Sequence, residues 1–284
     1  MDIRKNKHWP HRRTTARVDP APHTGPVPVP SKEKPVSSTS TTPAGATLKR
    51  AGQRLVVVGA GSAIGRRLAR TASAEGADLV LAGPDLAKLE KTAAELPGMA
   101  RTVRFDITDE ESIAHLAEEV GAFDHFVSTA AVPANGPLSE LVPEDVQRAF
   151  AAKVIGPLFL AKHLAGQARE GGSLTFFSGV AAWRPAPERT VMATTNGALA
   201  FLVQALAVEI APLRVNAVSP GIVDSGAWDK LGADKRAFLE SVAASNPARR
   251  VGTPDDLVAA VLFAIDNPYV TGTVLHVDGG GRLA

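Results

Sequence analysis

The 284-residue sequence contains no cysteine, a single tyrosine and no long apolar run. Without cysteine the chain has neither a disulfide framework nor a thiolate metal site, which suits a reducing compartment. Its longest apolar stretch, residues 201–210, is interrupted by Gln204 and Glu209. It therefore falls short of the roughly 18 uninterrupted apolar residues that indicate a membrane-spanning helix. We expect a cytoplasmic protein with no membrane partner and no bound metal.

The near-neutral net charge of +2 hides an asymmetry between two parts of the chain. Residues 1–50 carry a net charge of +7 and eight prolines, together with the Ser/Thr run at residues 37–42, whereas residues 51–284 carry −5. A basic segment can attract nucleic acid or anionic membranes, but this one lacks apolar periodicity. We interpret residues 1–50 as a disordered extension without a nucleic-acid partner, and residues 51–284 as one domain.

Short β-rich runs alternate with segments of helical periodicity along residues 51–284. Strands are predicted at 54–58, 78–82, 101–105, 123–128, 173–178, 214–218 and 273–277. Two long helices are predicted between them, at 143–167 and 189–210. This alternation predicts an α/β fold: a single Rossmann-type, doubly wound parallel sheet with helices on both faces.

A glycine-rich loop joins the first predicted strand to the first helix. It reads Gly59-Ala60-Gly61-Ser62-Ala63-Ile64-Gly65. Glycines in this context let the backbone approach a pyrophosphate, whose charge meets the free N–H groups of the following helix. The alternative is a tight strand-to-helix turn that binds nothing. Strand, loop and helix follow one another in the order that favours a dinucleotide site.

Several stretches resemble the short-chain dehydrogenase/reductase family at the family's spacing. The glycine loop is similar to its Thr-Gly-x-x-x-Gly-Ile-Gly pattern, with Val58 at the threonine and Ala63 at the middle glycine. The other stretches are residues 105–109 (FDITD), 214–221 (RVNAVSPG) and 269–280 (YVTGTVLHVDGG). The resemblance spans about 230 residues, and it implies an NAD(P)-dependent oxidoreductase that acts on a small molecule.

The resemblance also implies which residues contact the cofactor, NAD or NADP. They are Gly59, Gly61, Ser62, Ile64, Gly65, Asp106, Ile107, Ala130, Ala131, Pro220, Gly221 and Ile222. Asp106 would lie at the adenine edge with Ile107 beside the ring; alternatively, Asp106 is the N-cap of the helix that starts near Glu110. In family members an Asn-Asn-Ala-Gly stretch follows the fourth strand. Here residues 128–131 read STAA, so support of the loop must differ.

The type of cofactor is left open by the sequence. An acid after the second strand usually binds the ribose 2′-hydroxyl of NAD, and an arginine accommodates the 2′-phosphate of NADP. Here that place reads Gly83-Pro84. Asp85, one step later, and Arg66, at the start of the first helix, point to opposite choices.

The residues that perform the family's proton transfer are missing. In the family a tyrosine transfers the proton and a lysine four residues later lowers its pKa. The only tyrosine here is Tyr269, followed four residues later by Thr273. Alignment through the long helix places Met192 at the tyrosine and Asn196 at the lysine, and methionine cannot titrate.

The other two family positions are altered as well. Gly179 falls at the catalytic serine, with Ser178 just before it, and Lys153 falls at the helix asparagine. We take Ser178, Lys153 and Asn196 as the candidate catalytic residues. Lys153 and Asn196 either exchange roles, keeping an amine near the nicotinamide ribose, or Lys153 simply reaches solvent or a carboxylate. Thr194 and Thr195 are expected to bond to the backbone of their own helix.

Three functions remain open from the sequence. The first is an atypical oxidoreductase acting on a small carbonyl, an alcohol or an activated double bond. The second is a catalytically degenerate NAD(P)-binding regulatory or partner subunit, and the third is a non-redox isomerase, lyase or cyclase. The resemblance further implies a homo-dimer or homo-tetramer, with the apolar pairs Phe159-Leu160 and Phe201-Leu202 compatible with such contacts.

Overall fold

A computed structural model describes residues 48–284 of the protein, so the predicted extension lies, but for its last three residues, outside the described residues. The strands are β1 (Arg54–Val58), β2 (Asp78–Gly83), β3 (Ala100–Arg104), β4 (Phe123–Ser128), β5 (Ala168–Phe177), β6 (Arg214–Pro220) and β7 (Val274–Val277). The α-helices are α1 (Ala63–Ala74), α2 (Leu86–Ala94), α3 (Glu110–Val120), α4 (Pro143–Phe150), α5 (Gly156–Leu164), α6 (Thr190–Glu209), α7 (Lys235–Ser245) and α8 (Pro254–Asp266).

The seven strands form one parallel sheet in the order β3-β2-β1-β4-β5-β6-β7. The order reverses between β1 and β4, which is where ligands bind in open α/β sheets, outside the carboxyl ends of the strands. The predicted fold class is confirmed, and its topology places the glycine loop at the switch point.

Two apolar layers hold the helices on the two faces of the sheet. One layer includes Phe126, Leu160 and Val203, and it packs α3, α5 and α6 against the sheet. The other includes Val57 and Val261, and it packs α1 and α8 against the opposite face. Successive side chains of each strand point to opposite faces of the sheet, and both faces are covered by an apolar layer. This explains why the strands are almost continuously apolar in the sequence.

The long helix predicted at 143–167 is present, but it is not α-helical throughout. Between α4 and α5 the chain forms a π-helical turn, Ala151–Ile155, in which the N–H of Gly156 donates to the carbonyl of Ala151. Pro157 follows at once and has no N–H for the next helical bond. A Cβ on Gly156 would lie only 2.5 Å from Ile107, so this turn packs tightly against the end of the third β-α unit. Such turns occur frequently at functional sites.

The folded unit begins before the predicted boundary at residue 51. Arg50 is 1% exposed, and its guanidinium pairs with Glu75 at 2.6 Å and with Asp266 at 2.8 Å. The apolar side chain of Leu48 lies against Gly76, where an added Cβ would approach it to 2.8 Å. The boundary was placed too late because a basic composition does not distinguish a solvated arginine from a buried, paired one.

The helix α6 is the only one in the described part of the chain that is long and apolar enough to cross a membrane. Seven of its residues are buried against the sheet and neighbouring helices, among them Leu199, Val203 and Leu206. Its apolar composition is therefore accounted for by its packing in the domain.

Candidate active site

The glycine loop forms a tight turn between β1 and α1. Gly59 has φ of +86°, a conformation that favours glycine, and the hydroxyl of Ser62 donates to its carbonyl at 2.7 Å. Ser62 is also the N-cap of α1 and accepts from the N–H of Gly65 at 3.4 Å. A Cβ on Gly65 would lie 2.3 Å from the Gly59 carbonyl oxygen. The loop thus needs glycine at both positions to bring α1 up to β1.

A cavity of about 420 Å³ opens from this loop along the carboxyl ends of β1, β2 and β4. Seven of the twelve residues predicted to contact the cofactor line it: Gly59, Gly61, Ser62, Asp106, Ile107, Ala130 and Ala131. The cavity is also lined by residues that the sequence interpretation did not select, among them Pro84, Lys88, Thr129 and Val132. Lys88 carried a usable signal, since it is a basic residue in the first turn of α2.

The other five predicted cofactor residues lie outside this cavity. Ile64 packs in the apolar layer under α1, and Gly65 is buried within that helix. Pro220 ends β6, Gly221 lies against the backbone of Asp278, and Ile222 lines a second cavity of about 340 Å³ near the end of β7. The cavity at the glycine loop is therefore the part of the predicted site that the structure brings together.

The structure separates the two readings of Asp106. Asp109, not Asp106, is the N-cap of α3 and accepts from the N–H of Ser112. Asp106 lines the cavity, and its Oδ1 accepts from the N–H and the hydroxyl of Thr108 at 2.9 and 2.7 Å. Those bonds hold its carboxylate at the cavity lining.

Small residues after β4 bring the loop wall close to Gly59. A Cβ on Gly59 would lie 2.3 Å from the Oγ1 of Thr129, whose hydroxyl donates to the carbonyl of Val58 at 3.1 Å. The hydroxyl of Ser128 accepts from the N–H of Ala130 at 3.4 Å. Hydroxyls thus provide the loop support that amides provide in the family. The small residues leave backbone exposed around the loop. Such a surface fits a dinucleotide, because glycine lets the backbone approach the pyrophosphate closely.

Lys153 lies in the π-helical turn and reaches the end of β5. Its Nζ donates to the carbonyl of Phe177 at 2.7 Å. Burial lowers the pKa of Lys153 to about 8. The structure places no carboxylate on this amine among the described residues, so its charge is balanced only by the carbonyl dipole.

Ser178 and Asn196 contact each other where β5 ends against α6. The hydroxyl of Ser178 donates to the backbone carbonyl of Asn196 at 3.0 Å, and both residues are buried. A Cβ on Gly179 would lie 2.8 Å from the Nδ2 of Asn196, so the amide fills the space that a side chain at 179 would need. The Oδ1 of Asn196 is buried and finds no partner within residues 48–284. Neither side chain lines the cavity at the glycine loop.

The remaining hydroxyls of α6 bond to their own helix, as expected. Thr194 donates to the carbonyl of Thr190 at 2.9 Å, and Thr195 donates to that of Val191 at 3.0 Å. Met192 is partly buried one turn before Asn196. This part of α6 offers no side chain that titrates near neutral pH.

The two tryptophans flanking this region are held by neighbours. Trp183 packs edge-on against His276, with ring centroids 4.5 Å apart. The Nε1 of Trp228 donates to the carbonyl of Val223 at 3.0 Å, and its ring packs against Phe238. These contacts anchor the loops after β5 and β6 to neighbouring residues.

Comparison with known proteins identifies the family. A family model described as enoyl-(acyl carrier protein) reductase matches residues 59–281. The L-2,3-butanediol dehydrogenase of Corynebacterium glutamicum is 30% identical over 255 residues, which cover 79% of this chain and 96% of that protein. The chain belongs to the short-chain dehydrogenase/reductase family. As a member it is an oxidoreductase, and its cofactor is NAD or NADP.

Two solved structures of the family show the same architecture. One, titled as a small-chain dehydrogenase in complex with NADPH, is 33% identical with a TM-score of 0.69 and covers 82% of this chain and 99% of its own. The other, the MalC reductase/Diels-Alderase of Malbranchea aurantiaca, is 28% identical with a TM-score of 0.79 and covers 84% and 99%. Short-chain dehydrogenases/reductases of different activity therefore share this sheet order.

Proposed function

We propose that this short-chain dehydrogenase/reductase binds NAD(P)(H) in the cavity at the glycine loop and acts on a small carbonyl, alcohol or activated double bond without a protein tyrosine as proton donor. One observation carries the proposal. The glycine-loop side of the cavity is built from backbone and small side chains, whereas Lys153 and Ser178, near the ends of β5 and α6, donate to backbone carbonyls of Phe177 and Asn196.

Each part of the cavity would hold one part of the dinucleotide. The N–H groups around Ser62 and the positive end of α1 would bind the pyrophosphate. Asp106 and Ile107 would lie against the adenine, and Ala130 and Ala131 would leave room for the ribose next to the nicotinamide. When bound, the nicotinamide supplies or accepts the hydride.

The proton must come from water or from the substrate, since Met192 cannot supply it. Losing a positioned general acid typically costs about 10²–10⁴-fold in rate. Substrates that need no strong acid escape most of this loss, and enones and iminium ions are such substrates.

We propose that Lys153 is a positioning residue. By donating to Phe177 it fixes the backbone that leads into Ser178 and Gly179. The exchanged role, an amine near the nicotinamide ribose, makes a different prediction. If Lys153→Ala lowers thermal stability but leaves NAD(P)H affinity unchanged, the lysine only positions β5; a loss of affinity without a loss of stability supports the exchanged role.

The proposed function is tested by binding and then by turnover. NAD⁺, NADH, NADP⁺ and NADPH are titrated into the full chain by calorimetry. Oxidation of the bound reduced cofactor is then followed in single turnover with an enone, an iminium ion and a simple ketone. We expect binding, and faster oxidation by the two activated substrates. Failure of all four nucleotides to bind would refute the proposal, and binding without any oxidation would favour a regulatory or non-redox role.

A matched pair of variants tests whether position 192 takes part. Met192→Leu should leave oxidation of the reduced cofactor unchanged, because methionine donates no proton. Met192→Tyr with Asn196→Lys should give little ketone reduction, because the space next to Gly179 is shaped around the Asn196 amide. Strong ketone reduction by the double variant would show that the site differs from the family's only in these two side chains.

We also propose that the chain forms a homo-oligomer in the cytoplasm through the outer faces of α5 and α6. Phe201 and Val208 are 74% and 81% exposed on α6, and Ile155 and Leu158 are half exposed beside α5. Of the apolar pairs predicted to form contacts, Leu160 is buried in the core and is unable to contribute. Light scattering on Phe201→Glu and Val208→Glu variants tests the assembly; an unchanged mass for both would contradict it.

A further inference from the structure

The end of β2 offers the adenosine ribose no acidic side chain. Gly83 is the last residue of β2, Pro84 follows it, and both line the cavity. In Rossmann folds an acid near this place accepts from the 2′-hydroxyl of NAD, and a cation here accommodates the 2′-phosphate of NADP. Neither Gly83 nor Pro84 performs either task. The choice between NAD and NADP therefore depends on the residues that follow, at the start of α2.

The nearest acid, Asp85, is already engaged by Lys88. One carboxylate oxygen accepts from the backbone N–H of Lys88 at 3.1 Å and caps α2; the other pairs with its Nζ at 3.0 Å. These bonds to Lys88 hold the pKa of Asp85 below its ordinary value. A ribose hydroxyl would have to compete with both the cap and the ion pair.

Lys88 stands over the phosphate loop. Its Cβ is 3.1 Å from where a Cβ on Gly61 would lie, so the lysine stem crosses from α2 to the loop. Its side chain is 65% exposed and lines the cavity, which leaves donors of the ammonium free for a second partner.

A second cation reinforces the positive charge around Gly61. Arg66, in the first turn of α1, donates from Nη2 to the Gly61 carbonyl at 3.3 Å. Its Nε is buried and has no partner among the described residues. The positive ends of α1 and α2 both face this edge of the cavity. Two cations and two helix termini thus lie around Gly61, and the carboxylate beside Lys88 is that of Asp85.

We propose that this cavity binds NADP(H) in preference to NAD(H), and that Lys88 is the residue that discriminates between them; the inference rests on the proposed cofactor function. The ammonium of Lys88 bridges Asp85 and the 2′-phosphate, and the doubly charged phosphate makes stronger, charge-assisted hydrogen bonds than a hydroxyl does. NAD(H), which has no 2′-phosphate, would leave the charge of Lys88 balanced by Asp85 alone.

The test measures dissociation constants for NADPH, NADH and adenosine 2′,5′-bisphosphate with the full chain by calorimetry. We expect NADPH to bind about tenfold or more tightly than NADH, because a charge-assisted contact is about twice as strong as a neutral one. Lys88→Gln should lose most of that preference and should bind adenosine 2′,5′-bisphosphate more weakly. Its dissociation constant for NADH should change by less than about twofold. Lys91→Gln, one turn along the same helix and outside the cavity lining, is the charge-matched control and should bind like the wild type.

A second variant separates the two roles of Asp85. Asp85→Asn keeps a good helix cap but releases Lys88, so NADPH affinity should hold or rise and NADH affinity should stay the same. A loss of NADH affinity would show that Asp85 binds the ribose and would overturn the inference. The NADP(H) preference would also be overturned if the wild type bound NADH as tightly as NADPH, or if Lys88→Gln lost affinity for both equally. Either result would leave the proposed function intact. Failure of both dinucleotides to bind would refute the two together.

Discussion

The two halves of the sheet's carboxyl edge are built differently. The nucleotide half, at the ends of β1, β2 and β4, is an open cavity with backbone and small side chains at the glycine loop and larger residues such as Lys88 and Phe105 elsewhere. The catalytic half, where β5 and α6 meet, is packed: Ser178 donates to the backbone carbonyl of Asn196, Lys153 donates to that of Phe177, and the Asn196 amide fills the space at Gly179. One half is open to a ligand; in the other, the Ser178 and Lys153 side chains bond to backbone, and the buried Oδ1 of Asn196 has no partner among the described residues.

The difference shows which part of such a site depends on side-chain identity. A pyrophosphate is bound by N–H groups and a helix dipole, so Val58 and Ala63 can replace family residues without removing a donor. Proton transfer needs a side chain with a suitable pKa in contact with substrate. Neither the Met192 nor the Asn196 side chain titrates near neutral pH, so neither provides such a group.

The largest expected effect comes from adding one methyl group to the nucleotide half. In Gly65→Ala the new Cβ would meet the Gly59 carbonyl at 2.3 Å, so the loop must move. We expect NADPH affinity to fall by about 100-fold, roughly 2.7 kcal/mol. Calorimetry measures it.

The matched control is Gly197→Ala on α6, in the catalytic half. No heavy atom lies within 4 Å of its added Cβ, so NADPH affinity should be unchanged. Alanine should also stabilise the helix by roughly 0.5–1 kcal/mol. Equal effects of the two substitutions on affinity would remove the contrast between the halves.

Overpacking of the catalytic half is the next largest effect. Gly179→Ser restores the family's residue type, but its Cβ would lie 2.8 Å from the Asn196 amide. We expect a loss of about 1–3 kcal/mol in the free energy of unfolding, measured by chemical denaturation.

Removal of the amide should relieve that clash. Adding Asn196→Ala to Gly179→Ser should cost less than the two single changes together, since neighbouring residues do not act additively. Strictly additive costs would mean that the serine fits beside the amide, and the catalytic half would then be less closely packed than described.

The fold was predictable from the sequence because it depends on repeated patterns. Seven strands alternate with helices, and each predicted strand overlaps an observed one. The sequence did not predict the π-helical turn within the long helix, just before Gly156-Pro157. A helical period alone does not show that Gly156 must pack against Ile107.

The site was predictable only where local sequence determines it. The glycine loop lies within one β-α unit, so its spacing specifies its geometry. The contacts of Lys153 with Phe177 and of Asn196 with Gly179 join residues distant in sequence, and only the fold reveals them. The position of Lys88 in the first turn of α2 is visible in the sequence, but only the fold shows that its stem crosses to Gly61.

A smaller effect concerns pH and the catalytic half. Burial lowers the pKa of Lys153 from 10.5 to about 8 in the folded protein. Between those values the unfolded chain binds more protons, so the free energy of unfolding rises with pH, by at most about 1.4 kcal/mol per pH unit. Below pH 8 both states are protonated and the cost of burying the charge is fully present.

The variant Lys153→Met should flatten that rise. Denaturation curves at pH 8, 9 and 10 would show a smaller increase for the variant than for the wild type. An identical slope in both proteins would mean that the Lys153 amine is hydrated, and the catalytic half would then be open to water like the nucleotide half.

The smallest effects are expected from the hydroxyls of α6, which offer a pair differing only in burial. Thr194 is exposed and Thr195 is 3% exposed, and each bonds to a carbonyl of its own helix. Thr194→Ala should change stability by less than about 0.5 kcal/mol, whereas Thr195→Ala should cost about 1 kcal/mol, since it removes a buried hydrogen bond. Neither should alter NADPH affinity or single-turnover oxidation, because helix carbonyls already hold both hydroxyls. A fall in turnover at constant affinity in Thr194→Ala would show that this hydroxyl takes part in the reaction, and it would weaken the contrast between the two halves.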